Sequence, residues 1–268
     1  MQLLSTNLTD YLQTSELSGS AFWKREKQMK IIADMHTHTV ASTHAYSTVK
    51  EMTEAARDAG LEFLAITDHT PASTDGPHIW HFHNLHKAIP RELFGVKIIY
   101  GAESSVTDFD GHIDLPDDEC RKLDWIIGSV HTDILSSGTL EQNTNAYLGL
   151  AKNPLVDVIG HPATIKFPFD YEKGIKAFKE YDKLVEINES TLLWKNSEKN
   201  YREIIPLCKK YDVKLIVNTD SHFFASVGKV ERSLQLLDEF DYPQKLVVNT
   251  DRELLIERIN RKNGIIFS

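Results

Sequence analysis

The stretch Asp34-Met-His-Thr-His-Thr-Val-Ala-Ser-Thr-His-Ala-Tyr-Ser-Thr48 continues an apolar run that begins at Ile31, and it carries three histidines, His36, His38 and His44. The apolar run reads as a strand. Side chains alternate faces along an extended chain, so His36 and His38 project to one side and both imidazoles can reach a single point. A metal ion suits that point. An H-x-H pair by itself is also met among ordinary surface histidines, so its meaning depends on what the other strand ends carry.

From Lys30 onward, short apolar runs alternate with longer amphipathic ones, the pattern of repeated strand-helix units around a parallel sheet. Seven strands are predicted, at 31–35, 62–67, 96–102, 125–130, 156–159, 184–187 and 214–218. Helices are predicted at 49–59, 140–151, 171–181, 199–211 and 230–240, with a last one at 252–260, and Gly60 stops the first. Thr107-Asp-Phe-Asp-Gly-His-Ile-Asp114 interrupts the alternation with a hairpin turn after the third strand. Residues 1–30 read as a helical appendage and linker: Leu4, Leu8, Tyr11 and Leu12 fall at helical spacing, and Ser-Glu-Leu-Ser-Gly-Ser follows. A helix docked on the main domain or on a neighbouring subunit accounts for them, so an oligomer is compatible with the sequence. Residues 31–268 form the main domain. No internal repeat or low-complexity tract is present.

The chain has 268 residues, a length that a closed α/β barrel uses without dividing. Its 41% hydrophobic and 26% charged residues exclude a disordered or fibrous class. A net charge of -9 argues against extended binding to nucleic acid, although a bound cation can reverse the field at one site. Cys120 and Cys208 suggest neither a disulfide framework nor a thiolate zinc site. No apolar run is long enough to span a bilayer, and the basic-then-apolar order of a signal peptide is missing at the N-terminus. A cytoplasmic protein without membrane association is expected.

The polar residues that follow the strands make the case for the site. His36 and His38 follow the first strand, Asp68-His69 the second, Glu103 the third, His131 the fourth, His161 the fifth, and Asp220-Ser-His222 the seventh. In a parallel barrel all strand C-terminal ends open on one face, where such folds carry chemistry. Any one of these histidines read alone is more often structural, but their repetition at strand ends is not. The set exceeds what one four-coordinate zinc requires, so more than one metal is expected. Imidazole and carboxylate without thiolate suit zinc, manganese or iron. Clustered cations with open positions can acidify bound water and clamp a phosphoryl group.

His36-Thr-His38, His44, Thr67-Asp-His69, Gly101-Ala-Glu103, Ser129-Val-His131, Gly160-His161-Pro and Thr219-Asp220-Ser-His222 together resemble the motifs of the polymerase and histidinol phosphatase (PHP) family. The resemblance runs from about Ile31 to the C-terminus. Pro77-His-Ile-Trp-His-Phe82 and Val40-Ala-Ser-Thr-His-Ala-Tyr-Ser47 resemble its YcdX branch of small bacterial phosphatases. The resemblance implies a distorted (βα)7 barrel holding three metal ions, usually zinc, at the strand C-terminal ends. It implies that His36, His38, Glu103 and Asp220 hold the first ion. Glu103 would bridge to a second held also by His131 and His161, and His44, His69 and His222 would hold the third.

The implied activity is phosphatase hydrolysis of a small phosphorylated metabolite, with in-line attack by a metal-bridging hydroxide. Glu103 and Asp220 are then catalytic as well as metal-holding. Asp68 is a further catalytic candidate: it either orients His69 through a hydrogen bond, shapes a loop, or, like an unliganded histidine, protonates the leaving group. His78, His81 and His86, interleaved with Trp80 and Phe82, predict a lid helix over the site, with His81 or His83 as candidate substrate contacts. Lys166 and Lys195 follow strands on the active face and are candidate phosphate ligands, whereas Arg57 lies inside a helix as a surface charge. Two other readings stand beside this one: a phosphodiesterase or nuclease using the same ions, and a non-catalytic metal-binding interaction module.

Overall fold

A computed structural model describes residues 29–194 and 196–268. All but the last two residues of the expected N-terminal appendage, and Lys195, lie outside the described residues. In chain order the elements are β1 Ala33–Asp34, α1 Val49–Asp58, β2 Phe63–Ile66, α2 Trp80–Ala88, β3 Glu92–Leu93, β4 Val96–Ser105, α3 Asp117–Cys120, β5 Trp125–Ser129 and α4 Leu140–Lys152. Then follow β6 Val158–Ile159, α5 Tyr171–Glu180, β7 Leu184–Asn188, α6 Glu189–Leu192, α7 Ser197–Lys210, β8 Leu215–Asn218, α8 Glu231–Glu239 and α9 Arg252–Asn263. Two of the helices start where the sequence supplies a reciprocal capping box: Thr48 with Glu51 at α1, and Thr139 with Gln142 at α4.

Seven strands run parallel in the order β1-β2-β4-β5-β6-β7-β8, as expected, and form a nearly closed barrel. Their apolar runs are nearly continuous because both faces are buried. Phe63, Ala65, Ile99, Ile127, Leu184 and Ile216 pack inward with Leu255, Ile259 and Phe267, so α9 and the C-terminal residues plug one mouth of the barrel. Alternate residues such as Leu64, Ile66, Ile98 and Ile126 pack outward against the helices. The period of two then carries the inward row into polar positions: Ala65 to Thr67 and His69, Ile99 to Glu103, Ile127 to His131, Ile216 to Asn218 and Asp220.

An eighth parallel strand would close the seam between β1 and β8. Here they meet through a single parallel bridge, Thr37 with Ser221. Lower down, the segment 247–249 fills the gap. Val247 bridges Leu215, Asn249 Nδ2 donates to Ala33 O (2.8 Å) and Val217 O (2.6 Å), and Asn249 Oδ1 accepts from Val217 N (3.1 Å). The Asn249 carbonyl accepts from Ile32 N at 2.9 Å.

Three features depart from expectation. β4 runs three residues further than 96–102, paired with β5 through Ser105, so Glu103 sits inside a ladder rather than after it. A short strand, β3, pairs antiparallel with the start of β4. The helix expected to be a lid forms as α2, but it docks on the barrel instead: Phe82 and Leu85, three apart, are buried in the outer core. The hairpin turn is present, with Val106 bridging Ile113 and Gly111 at φ +80°. Among the described residues no helix is long and apolar enough to cross a membrane.

Candidate functional site

Glu103 is the centre of the polar end of the barrel. It is 1% exposed. Its Oε1 lies 3.3 Å from His131 Nε2 and 2.9 Å from His161 Nε2, while its Oε2 lies 3.3 Å from His36 Nε2, 3.5 Å from His38 Nε2 and 2.9 Å from His69 Nδ1. Asp220 Oδ1 approaches the same two rings of the H-x-H pair, 3.4 Å from His36 Nε2 and 3.0 Å from His38 Nε2. Residues as far apart in the chain as His36 and Asp220 therefore converge, as the strand-end pattern predicts.

His222 and His44 form the outer edge. Their rings stand 4.2 Å apart, and those of His44 and His69 5.4 Å apart. His222 Nδ1 donates to Asp220 O at 3.0 Å, and His44 Nδ1 to Asp75 Oδ2 at 2.5 Å. Two members of the cluster adopt positive φ, His161 at 26° and Asp220 at 56°, a region in which His and Asp are among the more tolerated residues. Gly160 lets the chain before His161 pack closely against β5: a Cβ there would fall 2.1 Å from Ser129 Oγ.

Such crowding of ionisable groups shifts their protonation. Burial opposes charge on Glu103 and Asp220, yet the neighbouring histidines hold both carboxyls well below the usual range. Burial also opposes charge on His69, but Glu103 raises it to about 9, whereas burial and His69 push His38 down to about 3. Anionic oxygens and imidazole nitrogens thus alternate around one volume. His36 Nε2, His38 Nε2, His69 Nδ1, Glu103 Oε2, Asp220 Oδ1 and His222 Nε2 are buried without a hydrogen-bond partner among the described residues. Buried polar atoms are almost always paired, so six orphans aimed at one cluster fit divalent cations. Triads close enough to share an ion include His36, His38 and Asp220; His69, Glu103 and His131; and His38, His69 and His222.

A cavity of about 460 Å³ opens onto this cluster, with His131, His161, Lys166, Phe167 and Trp194 in its wall. Lys166 thus stands where the sequence reading puts it. Arg57 pairs with Asp58 at the exposed end of α1 and does not line the cavity. His81 lies 3.1 Å from Asp68 Oδ2, and His83 contacts Lys87 and Glu119, so neither lines the cavity.

Asp68 is fully buried and does not line the cavity. Its carboxylate accepts from Thr39 N (2.7 Å), Thr39 Oγ1 (2.8 Å) and Ser42 Oγ (2.9 Å), so it fixes the loop between His38 and His44. Of the alternatives read for Asp68 these contacts match the loop role and not the bond to the His69 ring, whose Nδ1 faces Glu103.

Sequence reasoning missed four acids. Glu186, on β7, is fully buried beside His36. Asp34 accepts from Thr219 and Gly228 across the seam, and burial pushes its carboxyl up to about 6. Asp75 supports His44. Asp114, in the hairpin, accepts from Ala72 N, Ser104 Oγ and Ser105 N. The available signal was a carboxylate in the apolar row of a strand, as in Leu184-Val-Glu-Ile-Asn188 and Ile31-Ile-Ala-Asp-Met35.

A PHP domain model matches residues 34–192, more than half of the chain. A protein of Acetivibrio thermocellus described as "probable phosphatase" is 43% identical over 235 residues, 87% of this chain and 97% of the relative. One from Clostridium novyi with the same description is 41% identical, covering 88% and 98%. Among solved structures, a histidinol phosphate phosphatase of Lactococcus lactis, complexed with zinc, L-histidinol and phosphate, shares the fold at TM-score 0.58 and 17% identity, over 77% of this chain and 91% of that one.

Proposed function

This chain belongs to the PHP family, and we propose that it is a metal-dependent phosphatase of the YcdX-like branch, hydrolysing a small phosphorylated metabolite at a centre of three ions. The six orphaned, convergent nitrogen and oxygen atoms carry this reading. The relatives support the reaction class, and we read residues 31–268 as a single phosphatase domain with residues 1–30 as an appendage.

In this reading His36, His38, Glu103 and Asp220 hold one ion, Glu103, His131 and His161 a second, and His44, His69 and His222 a third. The approach of His131 and His161 to one Glu103 oxygen, and of His36 and His38 to the other, supports Glu103 as the bridge. Imidazole and carboxylate donors suit zinc, with manganese or iron as alternatives. The ions would supply an acidified water and neutralise charge on the phosphoryl oxygens.

The chain's own residues position the reaction. Lys166 in the cavity wall offers a cation to the incoming phosphate. Ser105 Oγ, 2.9 Å from His131 Nδ1, fixes that ring and leaves Nε2 toward Glu103. Asp68 holds the loop that spaces His44 from His38, and we assign it that role rather than proton donation, because its oxygens are engaged and away from the cavity.

Metal analysis of the purified protein combined with a phosphorylated-metabolite screen tests the proposal. The expected result is bound metal, hydrolysis of phosphomonoesters, loss on chelation and return on adding zinc or manganese. Full activity after demonstrated metal removal, or cleavage of a short nucleic acid strand without monoesterase activity, overturns it.

A further inference from the structure

Glu186 is a fully buried carboxylate on β7 that no ligand set above includes. Building on the metal-centre reading, we infer that Glu186 is a positioning residue that sets the tautomer of His36 and ties the first two ion sites together.

Four groups surround it: three donate, and the fourth is the His36 ring, whose role its tautomer sets. His36 Nδ1 (2.7 Å) and Asn218 Nδ2 (2.8 Å) face Oε1. His161 backbone N–H (2.8 Å) and Asn188 Nδ2 (3.1 Å) face Oε2. The two amides cannot turn round. Asn218 Oδ1 already accepts from Met35 N at 3.0 Å, and Asn188 Oδ1 from Thr191 N at 2.8 Å, so each presents its NH2 to Glu186. A carboxylate has about four lone-pair positions and no donor when ionised, and here three donors fill all but the one facing His36.

With Oε1 demanding a donor, His36 must carry its proton on Nδ1. In the neutral ring the lone pair is then on Nε2, the orphan atom lying 3.3 Å from Glu103 and 3.4 Å from Asp220. A ring with one nitrogen held by a carboxylate and the other free for a metal is a recurrent arrangement that also raises ligand basicity. Through its other oxygen Glu186 holds the backbone of His161 in its positive-φ conformation. Through Asn188, whose Nδ2 also reaches Asp220 Oδ2 at 3.2 Å, it touches a third proposed ligand. One side chain therefore fixes His36 and Asp220 of the first site and His161 of the second.

Glu186→Gln tests this, because it keeps size and shape but places an NH2 against two donors whichever way it turns. Zinc affinity is measured by competition with a fluorescent chelator, and metal per chain by elemental analysis, with wild type in parallel and folding followed by circular dichroism. The expected result is a 10- to 100-fold loss of zinc affinity with the chelated proteins folded alike. Unchanged affinity, or a lowered melting temperature with unchanged affinity, overturns the inference. A wild type that binds no zinc instead defeats the metal-centre reading on which it rests. Should the variant fail to fold, nitrogen-15 spectra of histidine-labelled, zinc-loaded wild type decide the matter. A His36 proton on Nδ1 with metal on Nε2 is expected, and the reverse tautomer refutes the assignment.

Discussion

Replacing Asn249 with alanine removes a side chain that substitutes for part of an absent strand. Its three hydrogen bonds, to Ala33 O, Val217 O and Val217 N, lie in a fully buried seam between β1 and β8. Each contributes about 1 kcal/mol net, but removing the amide also leaves three backbone groups buried and unpaired, which costs roughly 1–3 kcal/mol apiece. Partial relaxation and water entry recover some of this, so Asn249→Ala is expected to lose about 3–5 kcal/mol. Against total stabilities of roughly 5–15 kcal/mol, that is a large share. Asn249→Asp should lose at least as much, since two carbonyls would then face a carboxylate. The assay is urea unfolding followed together by fluorescence and circular dichroism, with metal in excess and then chelated. A loss below about 1 kcal/mol at unchanged m-value would mean that β1 and β8 hold together without the segment 247–249.

Glu103→Gln is expected to lower turnover by at least about 100-fold, while the melting temperature of the chelated protein changes little; near-normal turnover sinks the bridging assignment. Tyr147→Phe removes a buried hydroxyl that has no partner among the described residues. It should stabilise the protein by about 1 kcal/mol, or roughly 2–4 °C in a thermal melt, and a lower melting temperature refutes the packing argument. In metal-stripped protein His69 keeps its proton to about pH 9, because Glu103 outweighs the burial that opposes it, whereas an unfolded histidine loses it near 6.5. The folded chain then binds more protons from pH 6.5 to 8, so its stability should fall across that interval by about 2 kcal/mol, and a flat or rising urea midpoint contradicts this.

The parts of this molecule that the sequence disclosed are those whose physics is local. An apolar run announces a strand buried on both faces, and a histidine or acid directly after it announces a strand end, so the seven parallel strands and the convergence of His36, His38, Glu103, His131, His161 and Asp220 could be read in order. What was not legible depends on partners far along the chain. Glu186 is 150 residues from His36, and Asn249 is 216 from Ala33. Nothing near Asn249 signals its role, and the carboxylate in the apolar row of β7 marks Glu186 as unusual without indicating its partner. The helix at Trp80 shows a subtler failure: its histidines suggest a polar lid, but the pair Phe82 and Leu85 decides which face is buried, and His81 is drawn to Asp68 rather than to the cavity.

Barrel closure and ligand placement use the same hydrogen bonds. Next to the bridge of Thr37 with Ser221, His38 N donates to Ser221 O at 2.8 Å and Asp220 N donates to His36 O at 3.0 Å. The register of the seam therefore sets the spacing of His36, His38 and Asp220, and all three side chains are held as rigidly as the ladder. His44 and His222 are supported differently, by loops: the His44 side chain is 54% exposed and rests on Asp75, and His222 rests on the Asp220 carbonyl. If three ions are bound as proposed, the one held by His44, His69 and His222 should leave first. Zinc release into excess chelator, followed with a fluorescent indicator, should show one fast phase ahead of slower ones, and His44→Ala should abolish the fast phase alone. Release in a single phase, or loss of every phase in that variant, would mean that the outer edge is as firmly held as the seam.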